Sequence, residues 1–260
     1  MAQYDYDVIV IGGGAAGLTA SGVCAAFGAR TALVERRRLG GDCTWYGCVP
    51  SKTLLHIAKE YTALTNLKKY GVDRGNLEID FAKVMEAVRQ TRERIYRDAD
   101  APEVMQKKGV EVISGTARFK DAHSLEIEKE GGVRTLRFRS AIITAGGSPM
   151  ALNIPGLHEN GFLTNESLFE INERPEHLVI MGSGPIGVEM AQAFTMLGSR
   201  VTVIALDPDI LIRDERRCAA VVRKRLEEQG VRFILESTIH NVAKRNGRYD
   251  LAVGPPDAAK

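Results

Sequence analysis

The sequence predicts an α/β fold of two domains, each with a parallel sheet and a small antiparallel meander. Two glycine-rich G-x-G-x-x-G segments predict it, one starting at Gly12 and one at Gly182. Each stands between a strand pattern and a helix pattern and leads to a second strand. A third observation is a pair of cysteines, Cys43 and Cys48, directly after the first of these units. This β-α-β order around a glycine turn predicts two Rossmann-like domains.

The first unit opens with residues 6–11, which predict a buried strand, and continues into a helix over residues 18–27. The turn between them contains Gly12, Gly14, Ala15, Ala16 and Gly17. Glycine permits a tight turn and close approach to a pyrophosphate, which the helix N-terminus attracts. A second strand, residues 31–34, ends in Glu35, 18 residues past the last glycine, where an acid can bind ribose hydroxyls. This acid favours a nucleotide site over the alternative, a glycine turn without a ligand.

The two cysteines flank a short segment that leads into a helix pattern. Pro50 is favoured in a first helical turn, so Cys48 is expected at or just before a helix N-terminus. The helix dipole there and Lys52 one turn later both favour a thiolate. Such a thiolate beside the Cys43 thiol is what a reversible dithiol/disulfide couple needs.

Other interpretations of the cysteine pair remain open when it is taken alone. It can be half of a zinc site, a permanent disulfide or two inert buried thiols. Cys24 and Cys218 are isolated in the sequence, so no second pair completes a metal site. The adjacent nucleotide unit favours the redox couple, and no metal site is predicted.

Residues 54–107 predict long helices, interrupted by a turn over residues 71–80. A run of charges in the second helix predicts a solvated face; its members are Arg89, Arg92, Glu93, Arg94 and Arg97. Residues 109–115 predict a strand, and residues 116–140 predict an antiparallel meander. A separate buried strand is expected to begin at Ser140 and end in the glycine turn at Gly146. Residues 150–177 predict a connection.

The second unit repeats the first. A strand at 177–181 leads into the turn that contains Gly182, Gly184, Pro185, Ile186 and Gly187. A helix over 188–198 and a strand over 201–204 follow. The acid expected at the end of this strand is missing, because Ala205 and Leu206 stand there and Asp207 and Asp209 come late, so the choice between NADH and NADPH is not specified. A helix over about 214–229, a strand over 231–235 and a hairpin to residue 253 complete the unit.

Composition excludes several classes of protein. The chain has 260 residues, 44% hydrophobic and 26% charged, with a formal net charge of +2. This balance gives no electrostatic reason to expect nucleic acid or a membrane surface as a partner. The apolar run at residues 8–11 is too short for a membrane span or a signal-peptide core, so a cytoplasmic location is expected.

With these motifs in place, the sequence resembles the class I pyridine nucleotide–disulfide oxidoreductases, which include dihydrolipoamide dehydrogenase, glutathione reductase and mercuric reductase. The stretch from Gly40 to Lys52 resembles the redox-active disulfide of that family. Gly12, Gly14, Gly17 and Glu35 match its FAD fingerprint, and Thr144, Ala145 and Gly146 resemble its second FAD motif with the first two residues exchanged. Gly182, Gly184 and Gly187 match the NAD(P)H fingerprint.

The resemblance implies a role for each matching residue. Cys43 is implied to be the thiol that attacks substrate and Cys48 the thiol that faces the flavin. Lys52, near the flavin, is implied to pair with Glu189, and Gly41 and Asp42 are implied to lie beside the FAD phosphates. Residues 1–150 would form an FAD-binding domain and residues 151–260 a domain for NAD(H) or NADP(H).

The sequence also departs from the family pattern. Asp42 stands where threonine is usual, and Thr44, Trp45 and Tyr46 replace small and polar residues between the cysteines. Family members are longer and continue into a third FAD motif and a dimerisation domain, which carries a histidine–glutamate pair that acts on the partner subunit's disulfide. The chain is therefore expected to be a C-terminally truncated piece of a homodimeric protein.

The expected function is electron transfer between NAD(P)H and a small dithiol or disulfide substrate through FAD and the Cys43–Cys48 couple. A dihydrolipoamide dehydrogenase-like activity comes first, because residues 50–56 look most like that branch. A mercuric ion reductase-like activity is the alternative, because residues 191–194 and Ala205 look more like that one. A third possibility is a nucleotide-binding fragment that does not turn over. A flavin enzyme without a redox disulfide is disfavoured by the intact cysteine pair.

Overall fold

The computed structural model describes residues 4–72, 78–129, 131–150 and 152–256. Its strands are β1 Tyr6–Ile11, β2 Thr31–Glu35, β3 Val110–Ser114, β4 Thr116–Asp121, β5 Ser124–Lys129, β6 Gly132–Ile143, β7 His177–Met181, β8 Arg200–Ile204, β9 Arg232–Ile234, β10 Thr238–Arg245 and β11 Arg248–Gly254. Its α-helices are α1 Ala15–Ala26, α2 Gly41–Trp45, α3 Cys48–Asn66, α4 Phe81–Ile95, α5 Pro102–Lys107, α6 Leu157–Asn160, α7 Asn165–Leu168, α8 Pro185–Met196 and α9 Arg216–Glu228. A 3₁₀ turn, Leu67–Tyr70, follows α3, and a π-helical turn, Tyr96–Asp100, follows α4. Residues 73–77 of the expected turn lie outside the described residues.

The chain divides into two compact units. The first comprises Met1–Pro50 and Arg89–Ser148, and the second comprises Ser51–Val88 and Pro149–Lys260. The assignment of residues 1–150 to FAD and 151–260 to NAD(P)H stays a prediction.

The first unit is built on one six-stranded sheet, in the order β3-β2-β1-β6-β5-β4. β3, β2, β1 and β6 run parallel, which is the arrangement that β-α-β crossovers produce. β4, β5 and the first half of β6 form the predicted antiparallel meander. The predicted mixed α/β fold is therefore confirmed for this unit.

One strand differs from the expectation. β6 is a single strand of 12 residues, which pairs antiparallel with β5 through Leu136 and parallel with β1 through Ile142. The prediction of a separate buried strand from Ser140 was wrong in two respects. The meander and the parallel sheet share this strand, and its end is not buried, since Ser140 and Ile143 are exposed.

Two apolar clusters hold the first unit together. One contains Ile9, Ala32, Val34, Leu125 and Phe138, so it joins the parallel strands to the meander. The other packs Val10, Leu33, Leu39, Met105 and Val110 together. Neighbouring residues of β1, Ile9 and Val10, thus enter different clusters, as expected for a strand covered on both faces.

The second unit contains a parallel sheet of order β7-β8-β9 and the hairpin β10-β11. One large cluster joins the helices of residues 51–88 to α8 and β8. Leu54 and Met85 contribute from these helices, and Ala191, Phe194 and Val203 from the nucleotide-fold segment. Among the described residues, no helix is long and apolar enough to cross a membrane.

We predict that Phe194→Ala strongly destabilises the second unit. The Phe194 side chain is fully buried, and its ring centroid lies 6.0 Å from that of Phe81. Truncation removes buried apolar surface and leaves a cavity, which costs about 3–5 kcal/mol of unfolding free energy. Urea unfolding monitored by circular dichroism measures the loss. Phe27→Ala is the matched control, since Phe27 is 88% exposed and its loss is expected to cost at most about 0.5 kcal/mol. Equal effects of the two substitutions would contradict the prediction.

Candidate dinucleotide and dithiol site

The glycine turn after β1 allows α1 to pack directly on the strand. A Cβ atom on Gly17 would overlap the carbonyl oxygen of Gly12, and one on Gly12 would overlap the carbonyl oxygen of Thr144. Gly12 also has φ of +106°, a conformation that L side chains rarely adopt. The Thr144 hydroxyl donates to the carbonyls of Ile11 and Gly12 at 3.0 and 2.8 Å. The two sequence motifs that contain Gly12 and Thr144 therefore meet.

Glu35 lies beside this turn at the end of β2. Its carboxylate accepts the amide N–H of Gly13 at 2.6 Å and that of Arg37 at 2.7 Å. The two bonds fix the carboxylate next to the glycines while leaving further lone pairs for other donors. The position agrees with the ribose-binding role inferred from the sequence, which stays a prediction.

The segment that carries the cysteines is attached to the same turn. The amide N–H of Gly40 donates to the carbonyl of Gly13 at 2.9 Å, and Gly40 forms an isolated bridge with Gly14. Gly41 has φ of +55°, and a Cβ atom there would lie 2.6 Å from the Gly14 Cα. A side chain at residue 41 would therefore separate α2 from the glycine turn. Asp42, in the first turn of α2, is exposed.

Cys43 lies in α2 and Cys48 is the first residue of α3, which confirms the expected helix start. Cys43 is half-buried and Cys48 is exposed. Burial raises the pKa of the Cys43 thiol to about 11, with contributions from a side-chain hydrogen bond to Cys48, the charge of Cys48 and the charge of Asp100. Cys43 is therefore protonated at neutral pH in the dithiol form.

The sequence did not indicate two side chains that contact the segment between the cysteines. Asp100 accepts a hydrogen bond of 2.6 Å from the hydroxyl of Thr44, the neighbour of Cys43. Arg92 was expected on a solvated helix face, and this was wrong: it is 6% exposed and donates to the carbonyl of Trp45 at 2.9 Å. A run of charged residues does not show that one of its members is buried. The sequence signal that could have indicated a buried partner was the tryptophan between the cysteines.

The glycine turn of the second unit repeats the packing of the first. A Cβ atom on Gly187 would overlap the carbonyl oxygen of Gly182, so α8 lies against β7 as α1 lies against β1. At the end of β8, Ala205 is buried and Leu206 is exposed. Asp209 binds the amide N–H of Ile210 at 2.8 Å and Arg223 at 3.0 Å, and these bonds lower the pKa of its carboxyl group. It is thus already engaged within the protein.

Lys52 and Glu189 form the predicted pair within the second unit. Lys52 Nζ lies 2.6 Å from Glu189 Oε1. The sequence separates them by 137 residues, so only the resemblance anticipated the contact. The lysine side chain is 61% exposed, so the pair is expected to add little to stability.

Both glycine turns fit a dinucleotide. Gly14 and Gly184 precede α1 and α8 and make no side-chain cap, so amide N–H groups of the first turn remain for an anion in each helix. In α8 these amides start at Ile186, because Pro185 has no N–H. Ala15 and Ala16, the first residues of α1, are exposed, as are Pro185 and Ile186 of α8. Among the described residues, no heavy atom outside the immediate chain neighbours lies within 4 Å of a Cβ placed on Gly146, Gly182 or Gly184. Space therefore remains where a ligand must approach the backbone.

The chain belongs to the pyridine nucleotide-disulphide oxidoreductase family, whose sequence pattern it matches over residues 6–257. It is 33% identical over 242 residues to a mercuric reductase of Bacillus cereus, covering 92% of this chain and 37% of that protein. It is 30% identical over 240 residues to a dihydrolipoyl dehydrogenase of Geobacillus stearothermophilus, covering 92% of this chain and 50% of that one. The chain thus spans half or less of the length of these two relatives.

Solved structures give the same assignment. The HOCl-induced flavoprotein disulfide reductase RclA of Escherichia coli aligns with a TM-score of 0.80 at 28% identity, over 97% of this chain and 54% of that one. A Cu(II) complex of a mutant of that protein aligns with a TM-score of 0.82 at 27% identity, over 96% and 54% of the two chains. The family and the α/β fold class are therefore confirmed, and so are the predicted cofactors, because members of the family use FAD and NAD(P)H.

We predict that Asp100→Asn lowers the pKa of Cys43. The substitution removes a negative charge that disfavours the thiolate. Only the thiolate is alkylated, so in the wild-type chain the alkylation rate of Cys43 should rise about tenfold per pH unit below its pKa. The Asn variant should reach the same rates at lower pH.

Iodoacetamide labelling of the reduced chain between pH 7 and 11, followed by peptide mass spectrometry, measures this profile. Asp98→Asn is the matched control, because Asp98 is an exposed carboxylate of the same π-helical turn. If both substitutions shift the profile equally, the prediction that Asp100 specifically raises the pKa of Cys43 is wrong.

Proposed function

We propose that the chain binds FAD and NAD(P)H and transfers electrons between NAD(P)H and a small dithiol or disulfide substrate through the Cys43–Cys48 couple. The observation that carries the proposal is the attachment of the cysteine segment to the first glycine turn, through the 2.9 Å bond from the Gly40 amide to the Gly13 carbonyl. A dithiol fixed against a dinucleotide fold suits transfer of electrons between the two. The family supports the same chemistry.

Different residues of the chain are proposed to bind the two dinucleotides. When bound, FAD supplies the two-electron link between a nicotinamide and a disulfide. Gly12, Gly14 and Gly17 are proposed to hold its pyrophosphate and Glu35 its ribose, while Gly182, Gly184 and Gly187 hold the nicotinamide dinucleotide. Lys52 and Glu189 are proposed to act as a pair, because they are already joined at 2.6 Å.

Cys43 is proposed as the thiol that attacks substrate. Its raised pKa means that a base must take its proton before it becomes a nucleophile. The resemblance assigns that base to a histidine–glutamate pair of a second subunit, so we propose a homodimer for the full-length protein. A cytoplasmic location stays a prediction.

Dihydrolipoamide is our first substrate candidate. The similarity to the Geobacillus stearothermophilus dihydrolipoyl dehydrogenase supports it. The 33% identity to the Bacillus cereus mercuric reductase supports mercuric ion as a second candidate. Turnover of the full-length protein with dihydrolipoamide and NAD⁺, compared with turnover with Hg²⁺ and NADPH, distinguishes the two substrates.

We predict that NADH or NADPH reduces the oxidised Cys43–Cys48 pair only when FAD is present. The purified chain is incubated without oxygen with FAD and each nicotinamide, and new thiols are counted by alkylation and mass spectrometry. Gly184→Val should abolish this reduction. Its φ of −74° and open surroundings allow a side chain in the fold, but the side chain occupies the space for the dinucleotide.

Dithiothreitol should still reduce the pair in Gly184→Val, which shows that the disulfide is present and accessible, and circular dichroism shows that the variant is folded. Cys24→Ser should behave as wild type, since Cys24 lies within α1 outside the proposed couple. If the chain binds FAD but gains no thiols with either nicotinamide, it is a nucleotide-binding fragment without this activity.

A further inference from the structure

The segment between the two cysteines is anchored to the first unit by two buried side chains. Thr44 and Trp45 are buried, at 5% and 4% exposure. The hydroxyl of Thr44 donates to Asp100 Oδ2 at 2.6 Å, and the indole N–H of Trp45 donates to the carbonyl of Leu39 at 2.7 Å. Gly47 completes the turn, because a Cβ atom there would lie 2.9 Å from the carbonyl oxygen of Asp42.

Two arginines enclose the tryptophan. The guanidinium carbon of Arg38 lies 3.2 Å from the centroid of the Trp45 ring, which also packs against Tyr96 with centroids 5.2 Å apart. Arg38 is held in turn by Glu93, whose two carboxylate oxygens lie 2.9 and 2.8 Å from its Nη2. From the same helix as Glu93, the buried Arg92 donates to the Trp45 carbonyl at 2.9 Å.

We propose that Arg38 and Arg92 are positioning residues for the dithiol: by fixing Trp45 they hold Cys43 and Cys48 adjacent and thereby set the reduction potential of the couple. The inference rests on the proposed function, because it assumes that these two cysteines form the redox couple. Neither arginine is assigned a direct role in the chemistry.

The physical reason is the entropy of ring closure. A disulfide forms only within a narrow range of Cα separations and torsion angles. A turn that already holds the sulfurs together loses little conformational freedom when the bond forms, whereas a loose turn must lose more. Loosening the turn therefore favours the dithiol, and the couple becomes more oxidising.

The experiment measures the potential of the purified chain directly. The chain is equilibrated in glutathione buffers at pH 7, where two glutathione thiols reduce the protein disulfide to two thiols and are themselves joined as glutathione disulfide. Free thiols are trapped by alkylation. Cleavage after Arg38 and Lys52 releases one tryptic peptide, residues 39–52, that contains both cysteines of the couple and neither Cys24 nor Cys218. In the Arg38→Ala variant cleavage falls after Arg37 instead, and the corresponding peptide is residues 38–52.

Arg38→Ala is the first variant, because its side chain is 44% exposed and its loss should not unfold the chain. We expect the equilibrium constant for disulfide formation to fall about tenfold, which raises the midpoint potential by about 30 mV. Arg38→Lys retains the charge but loses the flat guanidinium that stacks on the ring, so it should shift the potential in the same direction. Wild-type behaviour of the lysine variant would attribute the effect to charge and overturn the inference.

Arg137→Ala is the matched control. Arg137 also stacks on an aromatic ring of the first unit, 5.8 Å from the centroid of Tyr4, and it is exposed. Its loss should leave the potential unchanged. An equal shift in Arg38→Ala and Arg137→Ala, no shift in Arg38→Ala, or a shift to a lower potential would each overturn the inference.

Arg92→Lys tests the second arginine. Lysine keeps a donor but cannot place it with the geometry of the guanidinium, so a rise in potential is expected here as well. Circular dichroism shows whether Arg92→Lys has unfolded. If it has, the potentials of Arg38→Ala and Arg38→Lys alone test the inference. If the wild-type peptide 39–52 contains no disulfide in any glutathione buffer, the proposed function itself is wrong. If the wild-type disulfide forms but its potential is unchanged in the Arg38 variants, only the inference about the arginines is wrong.

Discussion

The close approach of a helix to a strand, made possible by missing Cβ atoms, is the constraint on which both units depend. In the first unit the carbonyl of Gly12 occupies the space of a Gly17 side chain, and in the second the carbonyl of Gly182 does the same at Gly187. Any larger residue would push the helix away and change the direction of its first amides. Because an anion binds to those amides, the packing of the helix on the strand also determines the geometry of the ligand site.

The same turn also organises the thiols. Gly40 is bonded to Gly13, and Gly41 lies too close to Gly14 to carry a side chain without strain. The helix that carries Cys43 therefore starts from the nucleotide fold rather than from a flexible loop. Trp45 then anchors the return to Cys48, through a buried ring and hydrogen bonds at both its indole and its carbonyl. Rigid support of this kind is what a reactive pair requires.

Local patterns were sufficient for much of this description. The strand at residues 6–11, the start of α3 at Cys48 and both glycine turns follow from periodicity, proline position and glycine spacing, each of which acts over a few residues. Contacts between distant residues were beyond that reasoning. Arg92 was expected in solvent because a charged run carries no information about which member meets a tryptophan 47 residues away. The shared strand β6 was divided in two because its partners change from β5 to β1 midway, while a sequence pattern reports burial and not the partner.

The strand β6 has a consequence for biosynthesis. β1 is completed on one side by β2 soon after it is made, but its other neighbour includes Ile142 and Ile143, and the hydroxyl of Thr144 reaches back to Gly12 across 132 residues. A ribosome adds about 5–20 residues per second, so the edge of β1 waits several seconds or longer for its partner. During that time its unpaired backbone groups are open to other chains. The parallel sheet of the first unit is thus completed only after residue 144 has been synthesised, because its central strand pairs with a segment about 130 residues away in the sequence.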